Sequence, residues 1–166
     1  MRRLSVWLLA GLLLAACHDG GATAPPPPRE VGGAASGRYC GMPLAEHPGP
    51  KAQIFLKSAP DKPVWFVSVS DAVAFTLLPE EPKDVAAIYV NDMARAANWD
   101  QPEAGTWVEA RQAWFVIGSR RKGGMGAPEA IPFGEEKAAA AFREAQGGQI
   151  VRFAGIPADY VLGNDK

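Results

Sequence analysis

The pattern of apolar and polar residues changes character twice along the chain. An apolar stretch from Leu4 to Ala16 follows two arginines, and a segment rich in Gly, Ala and Pro runs from His18 to Gly37. Past Pro50, short runs of β-branched and aromatic residues alternate with helical patterns and turn signals. This organisation predicts an export segment, a linker and then one folded unit.

The first half of the folded unit predicts two strands, a helix and a third strand. "AQIFL" and "VWFVSV" have the composition of strands and are separated by the turn-like "KSAPDKP". In "SDAVAFTLL", Ser70 and Asp71 are suited to cap a helix that Pro79 ends. The predicted elements are strands at 52–56, 64–69 and 85–90 and a helix between the second and third strands.

The second half repeats this order. "WVEARQAWFVIG" (107–118) predicts a hairpin or a long bent strand, and "GEEKAAAAFREAQ" is the clearest helix of the chain. Shorter strands are predicted at 130–133 and 149–153. A pair of phenylalanines nine residues apart occurs in each half, which suggests duplication. We therefore predict an α+β fold made of two similar β-β-α-β halves, at about 50–92 and 106–155.

The N-terminus has the features of a bacterial lipoprotein signal. The apolar run is too short to span a bilayer and ends in "LAAC", so residues 1–16 are predicted to be a signal peptide and Cys17 to be acylated. An ordinary cleaved export signal is the alternative. Residues 17–37 are then a lipidated flexible spacer, and residues 38–166 form the functional domain. The residue after Cys17 is His18, which favours the outer membrane.

Charge and cysteine content limit the classes of function. The net charge is −1, and it falls to −3 when the two arginines of the signal are removed. Such a chain lacks the basic excess of nucleic-acid-binding proteins. Of the two cysteines, one is the predicted lipid site, which leaves Cys40 without a partner for an internal disulfide in an oxidising compartment. Cys40 is therefore either a functional thiol, an intermolecular bridge or a small buried apolar residue.

The methionines outside the signal lie in unusual surroundings. Met42, Met93 and Met125 are flanked by glycine, proline or polar residues, and none has the sequence context of a core residue. Thiolate and thioether ligands select Cu(I), and in extended backbone Cys40 and Met42 would point to the same side. His47 could add an imidazole. A structural zinc site is less expected, because it requires four Cys or His ligands.

Two other classes of function remain open at this point. Cys40 could serve a thiol redox enzyme, for which a cation such as Arg38 would have to activate it. The chain could also be a metal-free interaction module that presents aromatic side chains. The tryptophans that such a surface would draw on are Trp65, Trp99, Trp107 and Trp114.

Several long segments, in order, resemble the NosL family. They are "YCGMPLAEHPGPKAQIFL", "VWFVSVSDAVAF", "AIYVNDMARAANWDQP", "AWFVIGSRRKGGMGAPEAIPF" and "YVL". The resemblance implies a periplasm-facing lipoprotein, not an enzyme, that binds one Cu(I) and accompanies nitrous oxide reductase in denitrifying bacteria. It also implies that copper is delivered to the reductase's copper centres together with a membrane maturation complex. A monomer is expected, with a copper-bridged dimer as the alternative.

The resemblance also bears on the fold and on the site. It implies a fold similar to organomercurial lyase, whose activity does not carry over because it relies on more than one cysteine. The family's metal-site motif falls on Cys40 and Met42 of this sequence. His47, Met93 and Met125 are further candidate ligands on chemical grounds alone.

Overall fold

The computed structural model describes residues 24–163. The predicted signal peptide and Cys17 lie outside the described residues. Within that range no helix is long and apolar enough to cross a membrane. The strands and helices are β1 Ala52–Leu56, β2 Ala59–Phe66, α1 Val69–Leu77, β3 Val85–Asn91, β4 Trp107–Glu109, β5 Trp114–Ile117, β6 Ile131–Phe133, α2 Glu136–Gln146, β7 Gln149–Arg152 and α3 Ala158–Leu162, with single 3-10 turns at Leu44–Glu46 and Phe153–Gly155.

The strands form two antiparallel sheets with matching topology. The first has the order β2-β1-β3-β4 and the second the order β6-β5-β7. In each half the first strand lies between the second and the third, and the helix connects the last two strands. The predicted α+β fold of two β-β-α-β halves is therefore confirmed.

The stretch 107–118 is neither a hairpin nor one bent strand. β4 pairs with β3 in the first sheet, whereas β5 lies in the second sheet between β6 and β7. Ala110 and Ala113, which lie between β4 and β5, are both 0% exposed. These small side chains let the chain cross from one sheet to the other through the core, and a strand-like composition gives no sign of such a crossing.

The start of α1 also differs from the prediction. Ser68, not Ser70, is the N-cap, and its side chain accepts a hydrogen bond from the Asp71 backbone N–H at 3.4 Å. The side chain of Ser70 is directed instead to the second half, where its hydroxyl lies 2.9 Å from the Glu129 carboxylate. A partner 59 residues away thus removes Ser70 from the capping role that its local sequence suggested.

Two apolar clusters stabilise the halves. Alternate residues of β5 face opposite sides, as expected for a strand: Phe115 and Ile117 belong to the cluster shared with α1 and the first sheet, and Val116 belongs to the cluster under α2. The phenylalanines of the predicted repeat are in contact within each half. Their ring centroids are 5.4 Å apart for Phe66 and Phe75 and 5.2 Å apart for Phe133 and Phe142.

Part of the predicted spacer is docked on the first sheet. Residues 26–31, which we call the strap, hydrogen-bond to side chains that face away from the shared core. Gln53, 0% exposed, exchanges two hydrogen bonds of 2.8 Å with the backbone of Arg29. Glu30 accepts hydrogen bonds from the Gly105 N–H at 2.9 Å and from Trp107 Nε1 at 3.0 Å. The spacer therefore ends before the predicted boundary at residue 37. Local composition could not predict this, because the hydrogen bonds that hold the strap join residues far apart in the sequence.

Candidate functional site

Cys40 and Met42 lie on one tight turn that follows the strap. The Gly37 N–H donates to the Met42 carbonyl at 3.0 Å, and the Gly41 N–H donates to the Gly37 carbonyl at 2.9 Å. Gly41 has φ 67°, a conformation that favours glycine. The expected extended backbone between Cys40 and Met42 is therefore wrong, and the two sulfur-bearing residues share a turn instead.

The turn leaves both sulfur-bearing side chains accessible. Cys40 is a free cysteine of intermediate burial, and Met42 is 41% exposed. A Cβ on Gly37 would lie 2.8 Å from Cys40 Sγ and 2.9 Å from Val67 Cγ1. Gly37 thus makes room for the thiol, which lies between the turn and the residue that follows β2.

An ion pair and an aromatic contact attach the turn to the first half. The Arg38 guanidinium lies 3.1 Å from the Glu81 carboxylate, whose side chain is only 7% exposed. The ring of Tyr39 packs on Phe66 with centroids 5.9 Å apart. Burial, and then the charge of Glu81 beside the ring, raise the pKa of Tyr39 to about 12. Glu81 is thus close to both residues that precede Cys40.

His47 is buried, and one of its ring nitrogens has no partner. The 3-10 turn Leu44–Glu46 leads to this residue, which is 7% exposed. In residues 24–163, two buried side-chain atoms lack a hydrogen-bond partner, and one of them is His47 Nε2. Buried polar groups are usually hydrogen-bonded, so an unpaired imidazole nitrogen is a candidate ligand atom.

Met125 lies at the tip of a glycine-rich loop that reaches the segment after His47. Its side chain is 58% exposed. The neighbouring Gly124 is so close to Pro48 that a Cβ would collide with the Pro48 carbonyl oxygen. The loop closes through hydrogen bonds from the Gly123 N–H to the Ala127 carbonyl at 3.0 Å and from the Gly126 N–H to the Gly123 carbonyl at 2.9 Å. The backbone of the Met125 loop thus packs on Pro48, the residue that follows His47.

Glu129, which sequence reasoning missed, attaches this loop to α1. One carboxylate oxygen accepts hydrogen bonds from the Ser70 N–H at 2.8 Å, the Ser70 hydroxyl at 2.9 Å and the Ala130 N–H at 2.9 Å. Its other oxygen is the second buried atom without a partner. Burial raises the pKa of Glu129 to about 7, against these hydrogen bonds, which lower it. No local sequence signal distinguishes this residue from a surface glutamate.

Met93 is a core residue, contrary to the sequence expectation. It is 6% exposed and belongs to the apolar cluster under α2, with Val116, Ile131 and Phe133. Its backbone N–H donates to the Pro132 carbonyl at 3.0 Å. Its neighbours in sequence are polar, but the second half covers it, and Met readily fills such gaps.

The segments that carry the candidate residues are attached to one end of the first sheet. Ala52, at the start of β1, is paired with Phe66 near the end of β2 and with Val90 near the end of β3. The turn with Cys40, the segment with His47 and the residue Met93 are connected to this end, and the Met125 loop packs against it through Pro48. Among the described residues, no group of three His, Cys, Asp or Glu side chains could hold a metal ion.

Comparisons with known proteins agree on one family. A family model described as NosL matches residues 28–161. The chain is 53% identical over 127 residues to the "Copper-binding lipoprotein NosL" of Achromobacter cycloclastes, covering 76% of this chain and 65% of that protein. It is 38% identical over 117 residues to the protein of the same name from Stutzerimonas stutzeri, covering 70% and 59%. The match thus spans less than two thirds of the length of these relatives.

Solved structures give the same result. The crystal structure of the copper chaperone NosL from Shewanella denitrificans matches with a TM-score of 0.74 and 36% identity, over 80% of this chain and 96% of that one. The solution NMR structure of apo-NosL from Achromobacter cycloclastes matches with a TM-score of 0.51 and 50% identity, over 66% and 87%. These relatives are named for copper binding and not for a catalysed reaction. This chain belongs to the NosL family.

Proposed function

We propose that this chain is a membrane-anchored Cu(I) metallochaperone that faces the periplasm. It supplies copper for the assembly of the copper centres of nitrous oxide reductase, together with the membrane maturation complex of that enzyme. The names of its relatives support the copper part of this proposal. The denitrification part comes from the family resemblance of the sequence.

One observation carries the proposal: an accessible free thiol and an exposed thioether lie on the same turn. Soft sulfur ligands favour Cu(I) over harder ions. We assign Cys40 as the principal ligand, because it supplies a negative charge, and Met42 as the second. Binding at a thiolate displaces a proton, so the affinity is expected to fall as the pH falls.

The remaining coordination comes from one or two of His47, Met125 and Met93, in that order of support. The Nε2 atom of His47 is buried without a hydrogen-bond partner, so a ligand bond there would satisfy it. Met125 is exposed on a loop that touches Pro48. Met93 is the least supported, since its side chain already fills a core cluster.

Release to an acceptor requires an open side, and the turn has one. A groove of about 620 Å³ runs beside it and is lined by Gly37, Arg38, Gly41 and residues 63–65. Cys40 and Met42 do not line this groove, but an acceptor docked in it would lie against their turn, where its thiolate or imidazole could join the copper before Cys40 leaves. Copper would then move between ligands without being free in solution.

Membrane attachment is assigned to Cys17, which lies outside the described residues. Acylation of this residue would tether the chain to a membrane, and the His18 that follows it favours the outer membrane. The strap begins nine residues after Cys17, so the folded unit would remain within about 30 Å of its anchor. We expect a monomer, with a copper-bridged dimer as the alternative.

The test is an anaerobic Cu(I) titration of the full chain in detergent against a competing chelator. The unaltered chain is expected to bind one Cu(I) tightly, and Cys40→Ser to lose that binding with its fold intact. Cys17→Ser is the matched control because it removes the other cysteine: copper affinity should stay the same and membrane attachment should be lost. Equal, weak binding by all three chains would contradict the proposal.

The redox alternative is weakened by the ion pair. Arg38, the cation that this interpretation requires, is already 3.1 Å from the Glu81 carboxylate. Turnover of a peroxide or a mixed disulfide by the unaltered chain but not by Cys40→Ser would support it. Partner capture that is independent of both copper and Cys40 would instead support a metal-free interaction module.

A further inference from the structure

Glu81 is a nearly buried carboxylate at a position where a buried charge is unexpected. It lies in the loop between α1 and β3, and its residue is 8% exposed, whereas the adjacent Glu80 is exposed. A buried charge is costly unless it is paired and hydrogen-bonded. Here the carboxylate accepts a hydrogen bond from Arg38 Nη2 at 3.1 Å, across 43 residues of sequence.

The partner of Glu81 belongs to the turn that carries Cys40 and Met42. This turn lies outside the helices and strands, and its hydrogen bonds are mostly internal. The backbone N–H of Arg38 donates to the Trp65 carbonyl at 2.8 Å, which fixes one point of the turn on β2. The ion pair supplies a second point of attachment, and the contact of the Tyr39 ring with Phe66 supplies a third.

A turn that is fixed before it meets its ligand binds more tightly than a mobile one. Ordering the backbone of a single residue costs about 1–2 kcal/mol, and a preorganised site avoids that cost on binding. The Arg38–Glu81 pair is anchored on the buried side, since the carboxylate is 7% exposed and the guanidinium 50% exposed. The buried half of the pair is therefore in the first half of the fold and the exposed half in the turn.

We propose that Glu81 is a positioning residue for copper: through Arg38 it holds the Cys40–Met42 turn in its binding arrangement and slows the release of Cu(I). This inference rests on the proposed function of the turn. Glu81 itself does not contact the metal. Glu81 affects how well ordered the turn is, so it changes the rate of Cu(I) release more than the rate of Cu(I) capture.

The first experiment compares Glu81→Gln with Glu80→Gln in the full chain. Glu81→Gln is expected to weaken Cu(I) binding about tenfold, which corresponds to ~1.4 kcal/mol, and to speed transfer to a chelator by a similar factor. Glu80→Gln changes the same kind of residue at the neighbouring exposed position and should leave both quantities unchanged. Hydrogen exchange at the amides of residues 38–42 should accelerate only in Glu81→Gln.

A double-mutant cycle separates positioning from a general loss of stability. Arg38→Gln should reproduce the loss, and adding Glu81→Gln to it should cause little further change, because both remove the same pair. Arg38→Lys keeps the charge and should recover most of the copper affinity. These substitutions are on a half-exposed side chain, so they carry the test if Glu81→Gln fails to fold.

The outcomes distinguish this inference from the proposed function. Tight binding that needs Cys40 but is the same in Glu81→Gln, Glu80→Gln and the unaltered chain would overturn the positioning role alone. Additive losses in the double-mutant cycle would overturn it as well. Absence of tight binding by the unaltered chain would overturn the proposed function itself.

Discussion

The two halves have the same topology but differ in how deeply their helices are buried. α1 has six buried residues, and four of them, Val69, Ala72, Val73 and Phe75, belong to the core that both sheets share. α2, although two residues longer, has one buried residue, Ala139, which belongs to the separate cluster under α2. One copy of the β-β-α-β unit thus forms the centre of the molecule, and the other covers one side of it.

This difference leaves the second half free to supply loops. Its connection from β5 to β6 carries Met125 and reaches Pro48 beside His47, whereas the corresponding connection of the first half is a tight turn between β1 and β2. Loops on a rigid scaffold are common places for binding residues. In this chain the central half supplies the scaffold and the peripheral half helps to close the site.

The largest expected effect distinguishes the equivalent phenylalanines. Phe75→Ala should lower the free energy of unfolding by about 4 kcal/mol, because the side chain is 1% exposed and leaves a cavity. Phe142→Ala should cost about 2 kcal/mol, since Phe142 is only partly buried. Urea unfolding followed by circular dichroism measures both. Equal losses in the free energy of unfolding would mean that the two phenylalanines contribute equally to stability, contrary to their different burial.

The next effect concerns pH at the junction of the halves. Because burial raises the pKa of Glu129 from 4.5 to about 7, the folded chain binds a proton more tightly there than the unfolded chain does. This contribution to stability is fully present below about pH 4.5 and is lost as the pH rises through about 7. Between pH 5 and pH 8 the unfolding free energy should fall by about 2 to 3 kcal/mol from this group.

Glu129→Gln should remove that part of the pH dependence, since an amide does not titrate in this range. The exposed Glu144→Gln, on α2, is the control and should retain it. Burial lowers the pKa of Lys51 to about 8 and the charge of Glu129 raises it, so the comparison is read between pH 5 and pH 7, below the titration of Lys51. Parallel stability profiles for the unaltered chain and Glu129→Gln would rule out a raised pKa at this residue.

A smaller effect is expected where the loop of the second half meets the first. Gly124→Ala should destabilise the chain by about 2 kcal/mol and weaken Cu(I) binding, because the new methyl group collides with the Pro48 carbonyl. Gly32→Ala is the control, since no atom lies within 4 Å of its added Cβ. If Gly124→Ala leaves both stability and copper affinity unchanged, the contact between the loop and Pro48 is unimportant.

The smallest effect concerns the strap. Glu30→Gln should lower the free energy of unfolding by about 1 kcal/mol and make residues 26–31 more sensitive to protease, because it weakens the hydrogen bonds to Gly105 and Trp107. Asp61→Asn removes a mostly exposed ion pair of 3.8 Å with Arg29 and should change little. Equal protease sensitivity in both variants would indicate that the strap is held by other contacts.

Local patterns predicted most of the elements, and their errors have physical reasons. Runs of β-branched residues identified the strands, and Pro79 and Gly147 marked helix ends, because these signals are carried by neighbouring residues. β2 begins earlier than predicted and includes Pro60 and Pro63. Proline is tolerated there because β2 is an edge strand, and edge position is a property of the sheet and not of the segment.

The site could be predicted by its chemistry but not by its geometry. The lone thiol and the neighbouring thioether identified Cys40 and Met42, and the position of Gly41 on a turn could not be read from composition. Glu81 and Glu129 were missed because their partners are 43 and 59 residues away. Met93 was misjudged for the same reason, since distant residues bury it.

The most direct measurement of the copper site is X-ray absorption at the copper K edge on selenomethionine-labelled full chain loaded with Cu(I). We predict sulfur scattering that is lost in Cys40→Ser and selenium scattering that decreases in Met42→Leu. The same comparison with Met93→Leu and Met125→Leu would rank the remaining thioethers. A spectrum without selenium scattering, and with a coordination shell unchanged by Cys40→Ser, would contradict a site built on the Cys40–Met42 turn.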